Sequence, residues 1–277
     1  MNSIDNTFQR LASQKRKAFI PFIPAGDPDL SASRLLIQEA ARRGASLIEI
    51  GFPYSDPIAD GSVIQASYTR ALGKGVKIDD IFTMAGELSA DAAFKSLEVP
   101  LVGMVSYSLV HHRGPAQFIA QAQKAGFSGL IVPDLPVDES QALADVAKTC
   151  DFRIIHLVTP ATPRDRAVRI AQRSTGFLYC VSVVGITGER AQLPPELIEQ
   201  LRWLRTQTRL PLCVGFGISK PEHVSMLRDH ADGIIVGSAI VRLLEQAGSK
   251  PIADVVRDVG DYVQSLVDTL NLLDGSK

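Results

Sequence analysis

Glu49 sits inside the apolar run Leu47-Ile48-Glu49-Ile50, and the turn-rich loop after it carries two further carboxylates, Asp56 and Asp60, before Gly61. An ionised carboxyl group buried without a partner is costly, so such a side chain either ion-pairs or takes up a proton and becomes neutral. A Glu poised between those forms is suited to general acid–base catalysis. On its own, Glu49 reads more often as a strand-end residue ion-paired to a neighbour, and its surroundings have to decide. A second set of residues has the chemistry of an anion cradle: Gly215-Phe216-Gly217-Ile218-Ser219, Gly237-Ser238-Ala239 and Gly185-Ile186-Thr187-Gly188. Glycines let backbone N–H groups approach a phosphate closely, and the recurrence of such loops favours an anion site over simple turn glycines.

These residues need elements to carry them. Short apolar runs recur along the 277-residue chain at 18–23, 47–50, 101–105, 129–132, 153–158, 177–181, 212–215 and 233–236. Each reads as a buried parallel strand, and stretches with apolar residues at helical spacing lie between them. Helices are expected over 31–43, closed by Gly44, and over 61–72 and 77–88, in the long connection after the second strand. Asp138 with Gln141 and Ser219 with Glu222 have capping-box spacing at the starts of two later helices. Further helices fall at 3–14, before the first strand, and at 238–246 and 251–272, after the last. This alternation predicts an α/β fold: a single (βα)8 TIM barrel over residues 1–277, with extra helices at the N-terminus, after strand two and after strand eight. An open doubly wound sheet fits units of such uniform size less well.

Active sites of these barrels lie at the carboxyl ends of the strands. If Leu47 and Glu49 point into the lumen, Ile48 and Ile50 point outward, and Asp60 on the following loop faces the same pocket as Glu49. Phe22, Val105, Ile131, Tyr179 and Phe216 fall near this rim and would line a slot for a flat aromatic group, although core packing is the ordinary role of each. The glycine loops after strands seven and eight occupy the usual phosphate positions of the fold.

Composition narrows the chemistry. With 29 basic against 30 acidic residues and no basic run beyond Lys15-Arg16-Lys17, there is no footprint for nucleic acid or an anionic membrane, and a small neutral or anionic ligand is expected. Cys150, Cys180 and Cys213 show no pairing or metal-ligand spacing and fit a reduced cytoplasmic setting. The first residues lack the apolar core of a signal peptide, and no apolar run approaches the ~20 residues of a membrane span. Schiff-base chemistry needs a lysine in the lumen, and every lysine falls on an expected helix, loop or terminus. His111 and His112 share a loop, His223 and His230 share a helix and His156 stands alone, so no metal set is expected. Carboxylates and a phosphate grip remain.

Taken together, Phe22-Ile23-Pro24-Ala25-Gly26-Asp27-Pro28, the segment from Ile48 to Gly61, Pro133-Asp134-Leu135-Pro136, Gly185-Ile186-Thr187-Gly188, Gly215-Phe216-Gly217-Ile218 and Val236-Gly237-Ser238-Ala239-Ile240 closely resemble the tryptophan synthase alpha chain family, in family order over nearly the whole chain. The resemblance implies a lyase that cleaves indole-3-glycerol phosphate by a retro-aldol reaction. It gives Glu49 the acid–base role and Asp60 the stabilisation of charge on the indole ring. Phe22, Val105, Ile131 and Tyr179 would contact the indole or glycerol part, and the backbones of Gly188, Gly217, Gly237 and Ser238 would hold the phosphate, with Gly215 in the same loop. Residues 187–194 would form a lid, with Thr187 reaching back toward Asp60 when it closes. The family further implies a beta-chain partner in an alpha2beta2 complex, contacted by the Pro53, Asp56 and Pro57 loop, although Asp56 is equally a turn former. No cofactor is expected on this chain, pyridoxal phosphate being the beta chain's. Three departures stand out: Tyr107 is followed by Ser108-Leu109-Val110-His111 where the family usually has an Asn-Pro-like segment, Val105 stands where Leu is frequent, and His156 where an apolar residue is common. Alternatives are a free-standing indole-producing lyase, a weakly active subunit that mainly activates its partner, and an isomerase of a phosphorylated sugar.

Overall fold

Nine parallel strand segments form one sheet in the computed structural model, which describes residues 1–57, 60–182, 195–215 and 217–272. They are β1 (Ala18–Pro24), β2 (Ile48–Gly51), β3 (Leu101–Met104), β4 (Phe127–Ile131), β5 (Arg153–Ile155), β6 (Leu157–Val158), β7 (Leu178–Val181), β8 (Leu212–Gly215) and β9 (Gly233–Val236). The spatial order is β5-β4-β3-β2-β1-β9-β8-β7-β6. Its two ends are the halves of a single run, so the sheet closes on itself as the expected barrel, with the fifth strand divided at His156. There the backbone N–H donates to Ser174 Oγ at 3.0 Å, while the carbonyl accepts from the Tyr179 N–H at 3.1 Å. The ladder changes partner at that residue.

Side chains alternate between two cores, as the pleat requires. Ile20, Phe22, Leu47, Val102, Met104, Ile131 and Tyr179 pack in the lumen, whereas Phe19, Ile23, Ile48, Ile50, Leu130 and Val214 face the helical layer. Helix α1 (Ser3–Ser13) stoppers the amino end of the lumen with Ile4, Phe8 and Leu11, and Phe8 stacks 5.7 Å from Phe177. Asn2 fixes that stopper: its Oδ1 caps the Ile4 N–H at 2.9 Å and its amide donates to the carbonyls of Ser128 and Asp151.

The outer layer contains α2 (Leu30–Arg42), α3 (Ser62–Gly73), α4 (Ile78–Ala90), α5 (Ala92–Lys95), α6 (Tyr107–Arg113), α7 (Pro115–Lys124), α8 (Gln141–Thr149), α9 (Arg164–Arg173), α10 (Pro195–Gln207), α11 (Pro221–Leu227), α12 (Ser238–Leu244) and α13 (Ile252–Leu270). Gly44, with φ of 94°, follows α2 as expected. Neither expected capping box forms. Asp138 lies in a 3-10 turn started at Pro136, and Ser140 takes the N-cap position of α8 with its hydroxyl donating back to the Val137 carbonyl at 2.8 Å. Pro221 sets the start of α11 after Lys220, so Ser219 stays outside the helix. One arm of such a box occurs instead at α4, where the Lys77 N–H donates to Asp80 Oδ2 at 3.0 Å, while the Asp80 N–H turns to the Lys77 carbonyl.

Candidate active site

Glu49 lies on β2, in register with Phe22 of β1 on one side and Val102 of β3 on the other, both luminal residues. Its side chain shares the lumen, and the residue is 1% exposed. Oε2 is buried and has no hydrogen-bond partner among the described residues. Burial first, and the nearby charge of Asp60 second, push its pKa up to about 8. Among the described residues no ion pair makes Glu49 an ordinary strand-end carboxylate. Asp60 is half-buried on the loop leading into α3, and burial raises its pKa to about 6. The Tyr54 hydroxyl, donating to Asp60 Oδ2 at 3.2 Å, pulls it down, and the charge of Asp134 pushes it up. Between about pH 6 and 8 one carboxyl is therefore charged while its neighbour keeps a proton, the division of states that separates an acid from an electrostatic stabiliser.

Two outcomes follow from this pair. Changing Tyr54→Phe removes the hydrogen bond that lowers Asp60, and the Asp60 carboxyl resonance is expected to titrate roughly half a pH unit higher by carbon NMR. Glu49 has a folded pKa above its unfolded value, so its contribution to stability is complete below about pH 4.5 and is lost as pH climbs through about 8. Glu49→Gln abolishes that loss. At pH 9 the variant is expected to be more stable than the parent by a few kcal/mol, on the order of the proton-binding difference, with little gain at pH 5; thermal unfolding at the two pH values checks this.

Around the carboxyl pair the lumen is aromatic. Phe22, 5% exposed, spans the pocket: a Cβ added at Gly51 would lie 2.5 Å from its Cζ, and one added at Gly237 3.5 Å from its own Cβ. Tyr68 closes over Gly51 in the same way, 2.7 Å from that position, and Tyr54 packs 5.7 Å from Tyr68. Tyr179 covers Gly215, where an added Cβ would collide with the phenol oxygen. Ile131 is fully buried in the same cluster. Val105 is not part of it. Because Val102 and Met104 point inward, alternation turns Val105 into the helical layer, and Met104 holds the luminal position expected for it. The sequence reading also missed Tyr54 and Tyr68. A signal for Tyr68 exists in its spacing from Ile64 on the helix following Asp60, which puts both on one face.

The anion cradle is described in part. Gly217 has φ of 74°, a conformation that favours glycine, and Gly237 directly precedes α12, where the first N–H groups of Ser238 and its successors lack intrahelical acceptors. The phenol of Tyr262 on α13 donates to the Ser219 carbonyl at 2.8 Å and ties the β8 loop to the last helix. Thr187, Gly188, Phe216 and the expected lid over 187–194 lie outside the described residues. No described lysine is buried, and no group of three or more potential metal-ligating side chains occurs among the described residues.

On the outer side of this rim, Pro53, Tyr54, Asp56, Ser108, Leu109 and Asp134 border a groove of about 710 Å³. Pro53 is buried, Asp56 is exposed and accepts from Ser55 Oγ at 2.8 Å, and the Pro57 carbonyl accepts the Asp60 N–H at 3.0 Å. Opposite them, Ser106 caps α6, and the Asp134 carboxylate accepts from Ser106 Oγ at 2.7 Å and from the Tyr107 N–H at 2.8 Å. The unusual segment after Tyr107 is thus a short anchored helix.

Comparison with known proteins adds family to geometry. The family described as tryptophan synthase alpha chain matches residues 8–269. The tryptophan synthase alpha chain of Rhodopirellula baltica is 46% identical over 273 residues, covering 96% of this chain and 98% of that one. That of Rippkaea orientalis is 41% identical over 271 residues and 98% of both chains. Among solved structures, tryptophan synthase subunit alpha from Legionella pneumophila superposes with a TM-score of 0.88 at 33% identity, over 98% of this chain and 99% of that one.

Proposed function

The chain belongs to the tryptophan synthase alpha chain family, and on that premise we propose that Glu49 and Asp60 perform its chemistry. It is a lyase that cleaves indole-3-glycerol phosphate in tryptophan synthesis. The bond broken joins indole C3 to the hydroxyl-bearing carbon of the glycerol chain. A proton added at C3 makes that carbon tetrahedral and puts positive charge on the ring. Loss of the hydroxyl proton forms the aldehyde of glyceraldehyde 3-phosphate as the C–C electron pair returns to the ring and restores indole. The two proton movements occur at C3 and at the hydroxyl of the carbon bonded to it, so one carboxyl group that changes between acid and base serves them. Glu49, protonated at neutral pH, gives the proton, and its carboxylate accepts the next. Asp60, ionised at the same pH, faces the charged ring nitrogen and is in place before the charge develops. The observation that carries this reading is the buried carboxyl of Glu49, its Oε2 without a hydrogen-bond partner among the described residues, beside a more acidic neighbour in an aromatic-walled lumen.

Phe22, Ile131, Tyr179 and, in place of Val105, Met104 are proposed to hold the indole, with Phe216 and Thr187 completing the pocket. The backbones of Gly188, Gly215, Gly217, Gly237 and Ser238 are proposed to grip the phosphate. The reading takes residues 1–277 as one domain of a cytoplasmic enzyme; no described helix is long and apolar enough to cross a membrane. It assigns pyridoxal phosphate to a beta chain and none to this one. That partner docks on the loop of Pro53, Asp56 and Pro57 in an alpha2beta2 complex. Indole release by the purified chain from indole-3-glycerol phosphate, measured with and without beta chain, tests these assignments. Release that rises with the partner supports the complex; release indifferent to it makes the chain a free-standing lyase, and none in either case sinks the reading.

A further inference from the structure

A second cluster lies at the opposite end of the barrel. Lys17, Pro211 and Asp232 immediately precede β1, β8 and β9, three neighbouring strands, and α1 gives way there to Lys15 and Arg16. Together with Arg205 and Arg209 from the end of α10 and the turn after it, these residues enclose a cavity of about 400 Å³. Its size suits a small ligand, and Phe8, Leu11 and Pro211 supply an apolar wall. Charge in the cavity is one-sided: Lys15, Arg16, Lys17, Arg205 and Arg209 face the single carboxylate of Asp232. That carboxylate is already engaged, by Arg205, by the Leu212 N–H at 2.8 Å and by Lys17 Nζ at 4.0 Å. Lys15, Arg16 and Arg209 have no carboxylate partner among the described residues.

In a chain with 29 basic and 30 acidic residues, gathering that many cations in one concavity costs mutual repulsion, which a bound anion relieves. Guanidinium forks match phosphate oxygens two at a time, and the uncommitted cations exceed what one monoanion neutralises. We propose that this cavity is a second anion site, for a small ligand carrying two linked phosphate groups, distinct from the pocket around Glu49. Such a ligand would rivet the end of α1 to α10 and to the starts of β1 and β8, so its binding stabilises the fold.

The probe is inorganic pyrophosphate, titrated calorimetrically into the full chain at constant ionic strength, with the carboxyl-end pocket saturated by glycerol 3-phosphate. A single pyrophosphate should bind per chain, and about 5 mM should raise the unfolding midpoint by roughly 4 °C. Arg16 and Arg209 are exposed, so the double variant Arg16→Ala, Arg209→Ala should fold and release indole normally in the absence of pyrophosphate while binding it at least about tenfold more weakly. Repeating the titration with ADP separates sources: tighter binding, lost in the same variant, assigns the site to a nucleotide, and equal or weaker binding assigns it to inorganic diphosphate. Absence of pyrophosphate binding once the carboxyl-end pocket is filled, or undiminished binding by the double variant, overturns the proposal.

Discussion

Glu49→Gln is expected to lower indole release from indole-3-glycerol phosphate by roughly 10³-fold, at the upper part of the range for a lost general acid–base group. Glutamine keeps the shape of the side chain and can donate or accept a hydrogen bond, but it cannot deliver a proton to C3 and collect another from the hydroxyl. The phosphate grip should survive. It is built on the loops after β8 and β9, whereas Glu49 rides on β2, and the element between them is the ring of Phe22, which reaches from Gly51 to Gly237. An unreactive analogue lacking the glycerol hydroxyl should therefore bind the variant within about threefold of the parent, since neutral Gln replaces a group that is itself neutral below about pH 8. Glu49→Asp retains the carboxyl and retracts it by one methylene, and a loss of about 10²-fold is expected from misplacement alone. Turnover near the parental rate in Glu49→Gln would remove that residue from the chemistry. Loss of analogue binding as well would assign it to ground-state recognition instead.

How much of this was legible beforehand depends on whether the decisive interaction was local. Glu49 stood out because an acid within an apolar run is a local contradiction, while period-two alternation put it on one face with Leu47 without saying which face was the lumen. Val105 was placed by its nearness to the rim alone, whereas the inward set of β3 is fixed by its register against β2, where Glu49 lies opposite Val102, and register is a non-local property. Helix α6 escaped notice for a similar reason: its first turn is anchored by Asp134, in the connection after the next strand. The capping-box spacings at Asp138 and Ser219 were real patterns overruled by neighbouring prolines, whose fixed φ moved the helix starts. The break at His156 depends on Ser174 offering its hydroxyl to the strand backbone. Strand count, helix order and the extra helices after β2 were readable because each rests on composition repeated over many residues.

Asp60→Asn is expected to reduce kcat by roughly 10² to 10³-fold with a smaller change in KM, the signature of an interaction that strengthens as charge develops on the ring. The pH profile adds a test that a merely structural role would not pass. With kcat/KM reporting the free enzyme, the parent should give a bell, rising as the pair loses its first proton near pH 6 and falling as it loses the second near pH 8. In Asp60→Asn the rising limb disappears, since no carboxylate remains there to ionise. The falling limb should persist and move down only modestly, because burial is the larger cause of Glu49's elevation and the Asp60 charge the smaller. A variant that kept the rising limb near pH 6 would hand the titration to another group and remove Asp60 from that limb. Conversely, loss of the falling limb would mean that Glu49 owes its proton to Asp60 and not to the apolar walls of the lumen, and the two carboxyl groups would then have to be treated as one proton-sharing unit.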